Sequence, residues 1–415
     1  MYGGACPANK PSDQQYGDPL SRDGSIGDLF RHNGEEYIEV YKPDLHKIKF
    51  IRSVRLCKTP ALGGQQYECK DCGHKLYIYH SCGHAQCPLC QSIKREQWQE
   101  RLGSKLLKVP YTHTVFTIPH ALNKIAKQYP KLIYNLLLRS AWQTVKQLCA
   151  DPSNVGALPG MVSVLHTFGS DMKYHIHVHS LITFGGIQHG KWVWPKRKKK
   201  IAPYREMCRR FREIFLGGLD KLISHSDIKV SDYDSLRSEI SDRRWNVRNN
   251  YPTMQTGLIE NYLARYINRV AISKNRLKYL EKEKQVQIVY NDYRNQQENK
   301  AAPKAIKELS PLVAMHQIMQ HVLPPYFQKS RYYGLHSTCI FNKIKNQIPQ
   351  LLRNAGQTIR TVFQILKDLL KLNPMVCEKC QQPNLASIPI TSDSSYIQLI
   401  LTAYKGRPPP QNILL

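Results

Sequence analysis

The sequence predicts an α+β protein: an antiparallel sheet with flanking helices, preceded by a small cysteine-rich module. Three observations lead there. Apolar and polar residues alternate, with β-branched enrichment, in segments between Tyr111 and Phe184, the two-residue period of half-buried strands. Around them the apolar residues recur at helical spacing. Six of the twelve cysteines crowd between Cys57 and Cys90.

Taken in order, residues 1–30 are rich in Gly, Pro, Asp and Ser and poor in large apolar side chains, the composition of a flexible lead-in. Leu45, Ile48, Ile51, Val54 and Leu56 fall near helical spacing, so a helix delivers the chain to Cys57. The cysteine-rich stretch ends near Gln91. Ile93, Trp98, Leu102, Leu106 and Leu107 then predict another helix, with Lys94, Arg95 and Arg101 on its other faces. These segments form a module over residues 31–108. Tyr111 to Ile118 reads as a strand stopped by Pro119, and Leu132 to Leu148 as an amphipathic helix. Met161–Phe168 and Tyr174–Phe184 read as two strands joined by a Gly-Ser-Asp turn into an antiparallel hairpin. Helices over 204–224 and 256–272 and a strand over Val286–Tyr290 complete a domain spanning 109–340. Residues 341–415 form a basic helical tail, centred on Leu351–Leu372, with one final Cys-x-x-Cys.

The chain carries 60 Lys+Arg against 31 Asp+Glu, a formal charge of +29. Such a field attracts polyanions, either nucleic acid or an anionic membrane surface. No apolar run reaches the roughly 18 residues of a membrane span, and the first residues lack the basic-then-apolar order of a secretory signal. The expectation is a cytoplasmic protein with no membrane partner. With 24 tyrosines as stacking surfaces, single-stranded DNA is a sharper expectation than duplex alone. Lys196, Arg197 and Lys198, in a basic loop, are candidate phosphate contacts.

Cys69-Lys-Asp-Cys72 and Cys87-Pro-Leu-Cys90 are two Cys-x-x-Cys knuckles with fourteen residues between them, close to the spacing of a four-thiolate zinc ribbon. A structural zinc is expected on Cys69, Cys72, Cys87 and Cys90, with Cys82 a further candidate. Cys57, His74, His80 and His84 lie in or beside this loop and supply enough donors for a second ion or an alternative ligand set. Cys377-Glu-Lys-Cys380 is a single knuckle whose partner is not visible in the sequence. Cys6, Cys149, Cys208 and Cys339 are scattered singly and are given no role.

In His175-Ile-His177-Val-His179, residues at i, i+2 and i+4 share one face of a strand, while Ile176 and Val178 point into the core. Imidazoles aligned this way suit a divalent metal with an open coordination position. His166, on the strand that pairs back, is a candidate extra ligand, and His113 a lesser one. A His-x-His-x-Asp-His metallohydrolase is excluded, because Ser180 and Leu181 follow His179.

On the predicted 256–272 helix, Tyr262 and Tyr266 stand one turn apart on one face. Arg265 and Arg269, three residues after each, are placed to hold phosphate. A phenol is a poor nucleophile at neutral pH, but a divalent ion at His177 and His179 would polarise a phosphate for it. This combination predicts a phosphotyrosine intermediate on DNA, with Mg²⁺ or Mn²⁺ as the catalytic ion. No Gly-x-x-x-x-Gly-Lys-[Ser/Thr] phosphate loop is present, so strand separation would fall to host replication or helicase proteins.

The sequence resembles the IS91-family transposases of the HUH superfamily. The resemblance is carried by Thr59-Pro-Ala-Leu-Gly-Gly, Cys87-Pro-Leu-Cys90-Gln, His113-Thr-Val-Phe-Thr-Ile-Pro-His120 and Val164-Leu-His-Thr-Phe-Gly. It continues through His175-Ile-His-Val-His179, Tyr262-Leu-Ala-Arg-Tyr-Ile-Asn-Arg-Val-Ala-Ile-Ser273 and Arg331-Tyr-Tyr-Gly334. It implies that 31–108 is a zinc-binding DNA-binding module and 109–340 an HUH two-tyrosine catalytic domain. It further implies metal ligands at His177 and His179, a third at His166, and nucleophiles at Tyr262 and Tyr266. The reaction implied is rolling-circle transposition at transposon ends through a 5′-phosphotyrosine link. A plasmid relaxase or replication initiator with the same chemistry, or a non-enzymatic zinc-ribbon DNA-binding protein, are the alternatives. Two departures stand out: Gln86 sits where family members often carry His, and Gln381-Gln382 follow the last knuckle where glycines are usual.

Overall fold

Ordered structure begins inside the segment expected to be a loose lead-in. The computed structural model describes residues 24–254, 276–344 and 376–392 apart from 244, 294, 298 and 299, together with 272, 346, 348, 360, 361, 364, 365 and 368. Helix α1 (Ile26–Tyr41) starts at a reciprocal capping box. The Ser25 Oγ accepts from the Asp28 N–H at 3.2 Å, and Asp28 Oδ2 accepts from the Ser25 N–H at 3.0 Å. Ile26, Leu29 and Phe30 are buried, so the boundary at residue 30 cuts through a core helix. Helix α2 (Leu45–Leu56), capped by Asp44, matches the expected span and packs on α1 through Phe30 and Phe50, edge to face at 5.8 Å. It ends at Cys57. The hairpin β1 (Gly64–Cys69) and β2 (Lys75–Tyr79) follows, then α3 (Ser92–Lys105).

The next elements are β3 (Tyr111–Thr117), α4 (Asn123–Gln128), α5 (Pro130–Ala150), β4 (Gly160–Phe168), β5 (Tyr174–Thr183), β6 (Gly186–Gln188) and β7 (Lys191–Val193). Then come α6 (Tyr204–Ser224), α7 (Tyr233–Asp242), β8 (Asn246–Asn249), β9 (Leu277–Leu280), β10 (Gln285–Asn291) and β11 (Lys304–Leu309). The chain closes with α8 (Pro311–Met319), β12 (Ser330–Gly334), α9 (Thr338–Ile344) and β13 (Leu385–Ile390). The helices expected over 45–56, 132–148 and 204–224 and the strands expected at 111, 161, 174 and 286 are present. The segment expected as a helix over 256–272, apart from Ile272, lies outside the described residues, and with it Tyr262, Arg265, Tyr266 and Arg269, as does most of 351–372.

The central sheet, among the described residues, has the order β12-β4-β5-β3-β8 with every neighbouring pair antiparallel. Alternation decides its two faces. Phe116, Met161, Leu165, Ile176, Val178, Ile182 and Val247 belong to one core, shared with Leu137, Leu138 and Ala141 of α5 and Phe211 and Phe215 of α6. Val162, Val164 and Leu181 face the other way, into a cluster with Leu102 and Leu106 at the end of α3. His113, His166, His177 and His179 share this second face by register. No helix among the described residues is long and apolar enough to cross a membrane.

The amino-terminal module does not stand alone in its packing. Ile26, Phe50, Ile51 and Cys57 share a core with Leu277, Val286, Ala314, Met315 and Ile318, so the amino-terminal module is built against β9, β10 and α8. The tail contributes as well: β13 pairs antiparallel with β1, giving a three-stranded sheet β13-β1-β2.

Candidate metal centres

His166 lies opposite His177 in the β4–β5 ladder, and Val164 opposite His179. Strand β5 carries an irregularity just beyond this point, where the register shifts between His166 and Phe168; such bulges re-aim side chains beside functional sites. One ligand nitrogen from each of His166, His177 and His179 lies within 4.8 Å of the others. The ring centroids are 4.2 Å apart for His166 and His179, 5.2 Å for His166 and His177, and 4.8 Å for His177 and His179. His175, the third histidine of the sequence motif, is not in this group; it sits toward the rim, with its ring 5.1 Å from that of His120. The candidate extra ligand on the partner strand takes its place.

The electrostatics suit metal ligation. The three rings are only 2%, 8% and 5% exposed in chain order. Burial first, and then the neighbouring imidazoles, holds His166 and His179 well below the usual histidine range and His177 down to about 3. All three are neutral near pH 7, the state that binds metal. His177 Nδ1 donates to its own strand, at the His175 carbonyl oxygen 3.0 Å away, and the His113 Nε2 to His179 Nδ1 distance is 2.8 Å. Both contacts engage Nδ1 and so leave Nε2 as the nitrogen that could reach a metal, the orienting arrangement that outer partners give in metal sites. His113, a lesser candidate by sequence, is thus a support for His179. Arg248 carries charge close enough to depress His113 after burial itself, and Lys329 depresses His166 after burial and the imidazoles of His179 and His177. Neither has a sequence signal, since isolated basic residues are common in a chain of this charge.

The cysteines form two clusters among the described residues, not one. Cys57, Cys82, Cys87 and Cys90 lie together, and Cys69, Cys72, Cys377 and Cys380 lie together, each set with sulfurs within 4.8 Å of one another. The structure does not bring Cys69, Cys72, Cys87 and Cys90, expected as a single set, together: their two knuckles lie in different clusters. Hairpin pairing causes the split, because β1 leads Cys69 and Cys72 toward β13 while Cys57, at the end of α2, meets the Cys87 knuckle. A tetrahedron of Zn–S bonds near 2.3 Å has S···S edges of about 3.8 Å. The Cys82–Cys90 Sγ distance is 3.8 Å, so this edge of the first cluster already has the length a zinc tetrahedron requires. The Leu89 N–H points at Cys87 Sγ from 3.4 Å and Gln91 Nε2 at Cys90 Sγ from 3.7 Å, donors that stabilise thiolate. His84 is not needed; it packs edge-on against Phe50 and burial lowers it to about 4. His80 is exposed.

Gln86 has a different task from a ligand. Its Oε1 accepts from the Leu323 N–H at 2.7 Å and its Nε2 donates to the Leu323 carbonyl at 3.3 Å, pinning the knuckle to the segment after α8. The basic run makes contacts of its own: Lys199 Nζ lies 5.5 Å from the centre of the Tyr251 ring. Arg197 Nη1 donates to Asn154 Oδ1 at 2.9 Å, beside the start of β4. Lys196 and Lys198 are exposed in the same loop.

Two family models match the chain: one described as "Transposase zinc-binding domain", of the IS91 type, over residues 29–118, and one described as "Putative transposase" over residues 160–343. Among curated proteins the chain is similar to "Putative transposase y4qJ" of Sinorhizobium fredii. The identity is 34% over 328 residues, covering 76% of this chain and 81% of the relative. It is also similar to the "Transposase for insertion sequence element IS801" of Pseudomonas savastanoi pv. phaseolicola, 26% identical over 354 residues, 80% of this chain and 82% of that one. No solved structure matches. A zinc-binding domain and a transposase domain in this order, in a chain one-third identical to a relative over three-quarters of its length, place it in the IS91 family of transposases.

Proposed function

We propose that this transposase cleaves and rejoins single-stranded DNA at transposon ends, with Tyr262 and Tyr266 as nucleophiles and His166, His177 and His179 as ligands of a divalent ion. The observation that carries the reading is the buried cluster of three neutral imidazoles on one face of the sheet. A structural role alone explains it poorly, because adjacent buried imidazoles are costly without a shared partner. A bound Mg²⁺ or Mn²⁺ would polarise the scissile phosphate and neutralise charge that develops on it.

The remaining chemistry belongs to the chain. A tyrosine oxygen attacks phosphorus, the bond from phosphorus to the 3′-oxygen breaks, and that oxygen takes up a proton to leave a free 3′-OH. The phenol proton passes to solvent, and the 5′-phosphate stays on the tyrosine. Attack by another 3′-OH reverses these steps and releases the enzyme, so no energy source is consumed. A pair of tyrosines lets one end stay attached while the other is cut. Arg265 and Arg269 are assigned to phosphate, as are Lys196, Arg197 and Lys198 of the basic loop. Host replication or helicase proteins would supply the single strand.

The test is a covalent adduct. Full-length protein is incubated with labelled single-stranded terminal DNA and Mn²⁺, then denatured. The expected result is a shifted protein–DNA species that disappears in the Tyr262→Phe/Tyr266→Phe double variant and in His177→Ala. Failure to form an adduct with any end sequence would sink the proposal in favour of non-catalytic DNA binding.

A further inference from the structure

We infer that Cys69 and Cys72 hold a second zinc ion jointly with Cys377 and Cys380, so that one metal ties the carboxy-terminal segment to the amino-terminal module. Geometry makes the site. The Cys69–Cys380 Sγ distance is 3.5 Å and the Cys72–Cys377 distance 3.6 Å, close to the edge of about 3.8 Å expected of a ZnS₄ tetrahedron. Cys69 and Cys377 are buried, and Cys72 and Cys380 are partly exposed.

The two knuckles have the same internal construction, although they are far apart in sequence. In the first, the Cys69 N–H donates to the His74 carbonyl at 2.9 Å and the Gly73 N–H donates back to the Cys69 carbonyl at 2.8 Å. In the second, the Cys377 N–H donates to the Gln382 carbonyl at 2.8 Å and the Gln381 N–H to the Cys377 carbonyl at 2.9 Å. The residue after the second cysteine is left-handed in both, φ +67° at Gly73 and +60° at Gln381. Gln381 thus takes the conformation usually given to glycine, and the unusual residue there leaves the knuckle intact. Strain of this kind persists only where the surroundings over-determine it, and a shared ion is such a constraint.

The knuckles also touch directly. The Lys70 N–H donates to the Asn384 carbonyl at 3.0 Å, and Asn384 Nδ2 donates to Asp71 Oδ1 at 3.1 Å. From there β13 continues into the sheet, pairing Cys69 with Leu385 and Gly64 with Ile390. Four thiolates leave no open coordination position, so the ion is structural.

Cysteine reactivity tests this on the full-length protein. In zinc-loaded protein, Cys69, Cys72, Cys377 and Cys380 should resist alkylation together with the Cys57 set. A Cys377→Ser/Cys380→Ser variant should contain one zinc per chain fewer and should alkylate at Cys69 and Cys72 while Cys57, Cys82, Cys87 and Cys90 stay protected. Unchanged zinc content, or continued protection of Cys69 and Cys72, overturns the inference. A second measurement needs no variant: chelation followed by mild oxidation of wild-type protein should give peptides joining Cys69 or Cys72 to Cys377 or Cys380. Disulfides confined to each knuckle, or linking Cys69 or Cys72 to Cys87 or Cys90, overturn it equally.

Discussion

The sharpest consequence of the histidine geometry concerns a residue that need not touch the metal. His113 Nε2 lies 2.8 Å from His179 Nδ1, with the two rings 5.1 Å apart and nearly parallel at 10°. Burial, and after it Arg248, lowers His113 to about 4, so it is neutral at working pH and can accept a proton from His179. That bond would fix the Nδ1–H tautomer of His179 and leave Nε2 as the nitrogen for the proposed ion. Replacing His113 by Phe keeps a ring of similar thickness and removes the acceptor. Loss of such an outer partner costs 10- to 100-fold in metal affinity, equivalent to about 1.4–2.7 kcal/mol, and a single neutral hydrogen bond contributes roughly 0.5–1.5 kcal/mol of that. The assay is Mn²⁺ titration by calorimetry on zinc-replete full-length protein, with adduct yield at limiting and saturating Mn²⁺ alongside. The expected pattern is weaker Mn²⁺ binding with yield recovered at high Mn²⁺. Unchanged Mn²⁺ affinity in a folded His113→Phe protein would refute the assignment of His113 as an orienting group.

Two further outcomes follow from the packing. His321 and His336 are buried and belong to none of the three clusters of candidate metal ligands, and burial lowers each to about 4. The unfolded chain, with histidine near 6.5, binds these protons first, so stability is full above pH 6.5 and is lost as pH falls toward 4. Each contributes about 2 kcal/mol of that loss by pH 5; the thermal midpoint should drop between pH 7 and pH 5, and less so in His336→Gln. At the edge of the sheet, Gly334 has φ +55°, and an added Cβ would lie 1.9 Å from the Pro159 carbonyl oxygen. Gly334→Ala should therefore destabilise by more than about 2 kcal/mol and expose β12 to hydrogen exchange; a wild-type melting temperature would contradict this.

What could be read in the sequence was local. The alternation in Met161–Phe168 and Tyr174–Phe184 and the turn between them place His166 beside His177, so pairing alone brings the histidine cluster within reach. His175 was legible only as a third histidine in the motif, because the bulge that leaves it outside depends on the partner strand. Helix α1 had a signature in Ser25-x-x-Asp28 followed by an apolar stripe, but the Gly- and Pro-rich composition before it masked the start. Strands β8 and β12 are four and five residues long, too short for periodicity to separate them from loop. The cysteine sets illustrate the limit most clearly. Spacing pairs the nearest knuckles, Cys69 with Cys87, whereas the fold pairs Cys72 with Cys377, 305 residues away.

That long-range pairing has an energetic logic. Strand β13 has no fully buried side chain, and Ile388 is exposed on it, so apolar burial can hold it only weakly. Its ladder to β1 offers bonds worth roughly 1 kcal/mol each net, against the cost of ordering each residue, also about 1–2 kcal/mol. A strand balanced this closely needs a further constraint to stay in register. A crosslink spanning 305 residues removes, in the chain-entropy picture, about 6 kcal/mol of freedom from the unfolded chain. The same link in the folded protein brings β13 to β1 and keeps it there. Since the amino-terminal module is itself packed on β9, β10 and α8, the sulfur-lined cluster closes a ring through the catalytic domain. Metal loss at Cys377 and Cys380 should therefore be felt as release of the tail from the module, with the histidine-bearing sheet left standing.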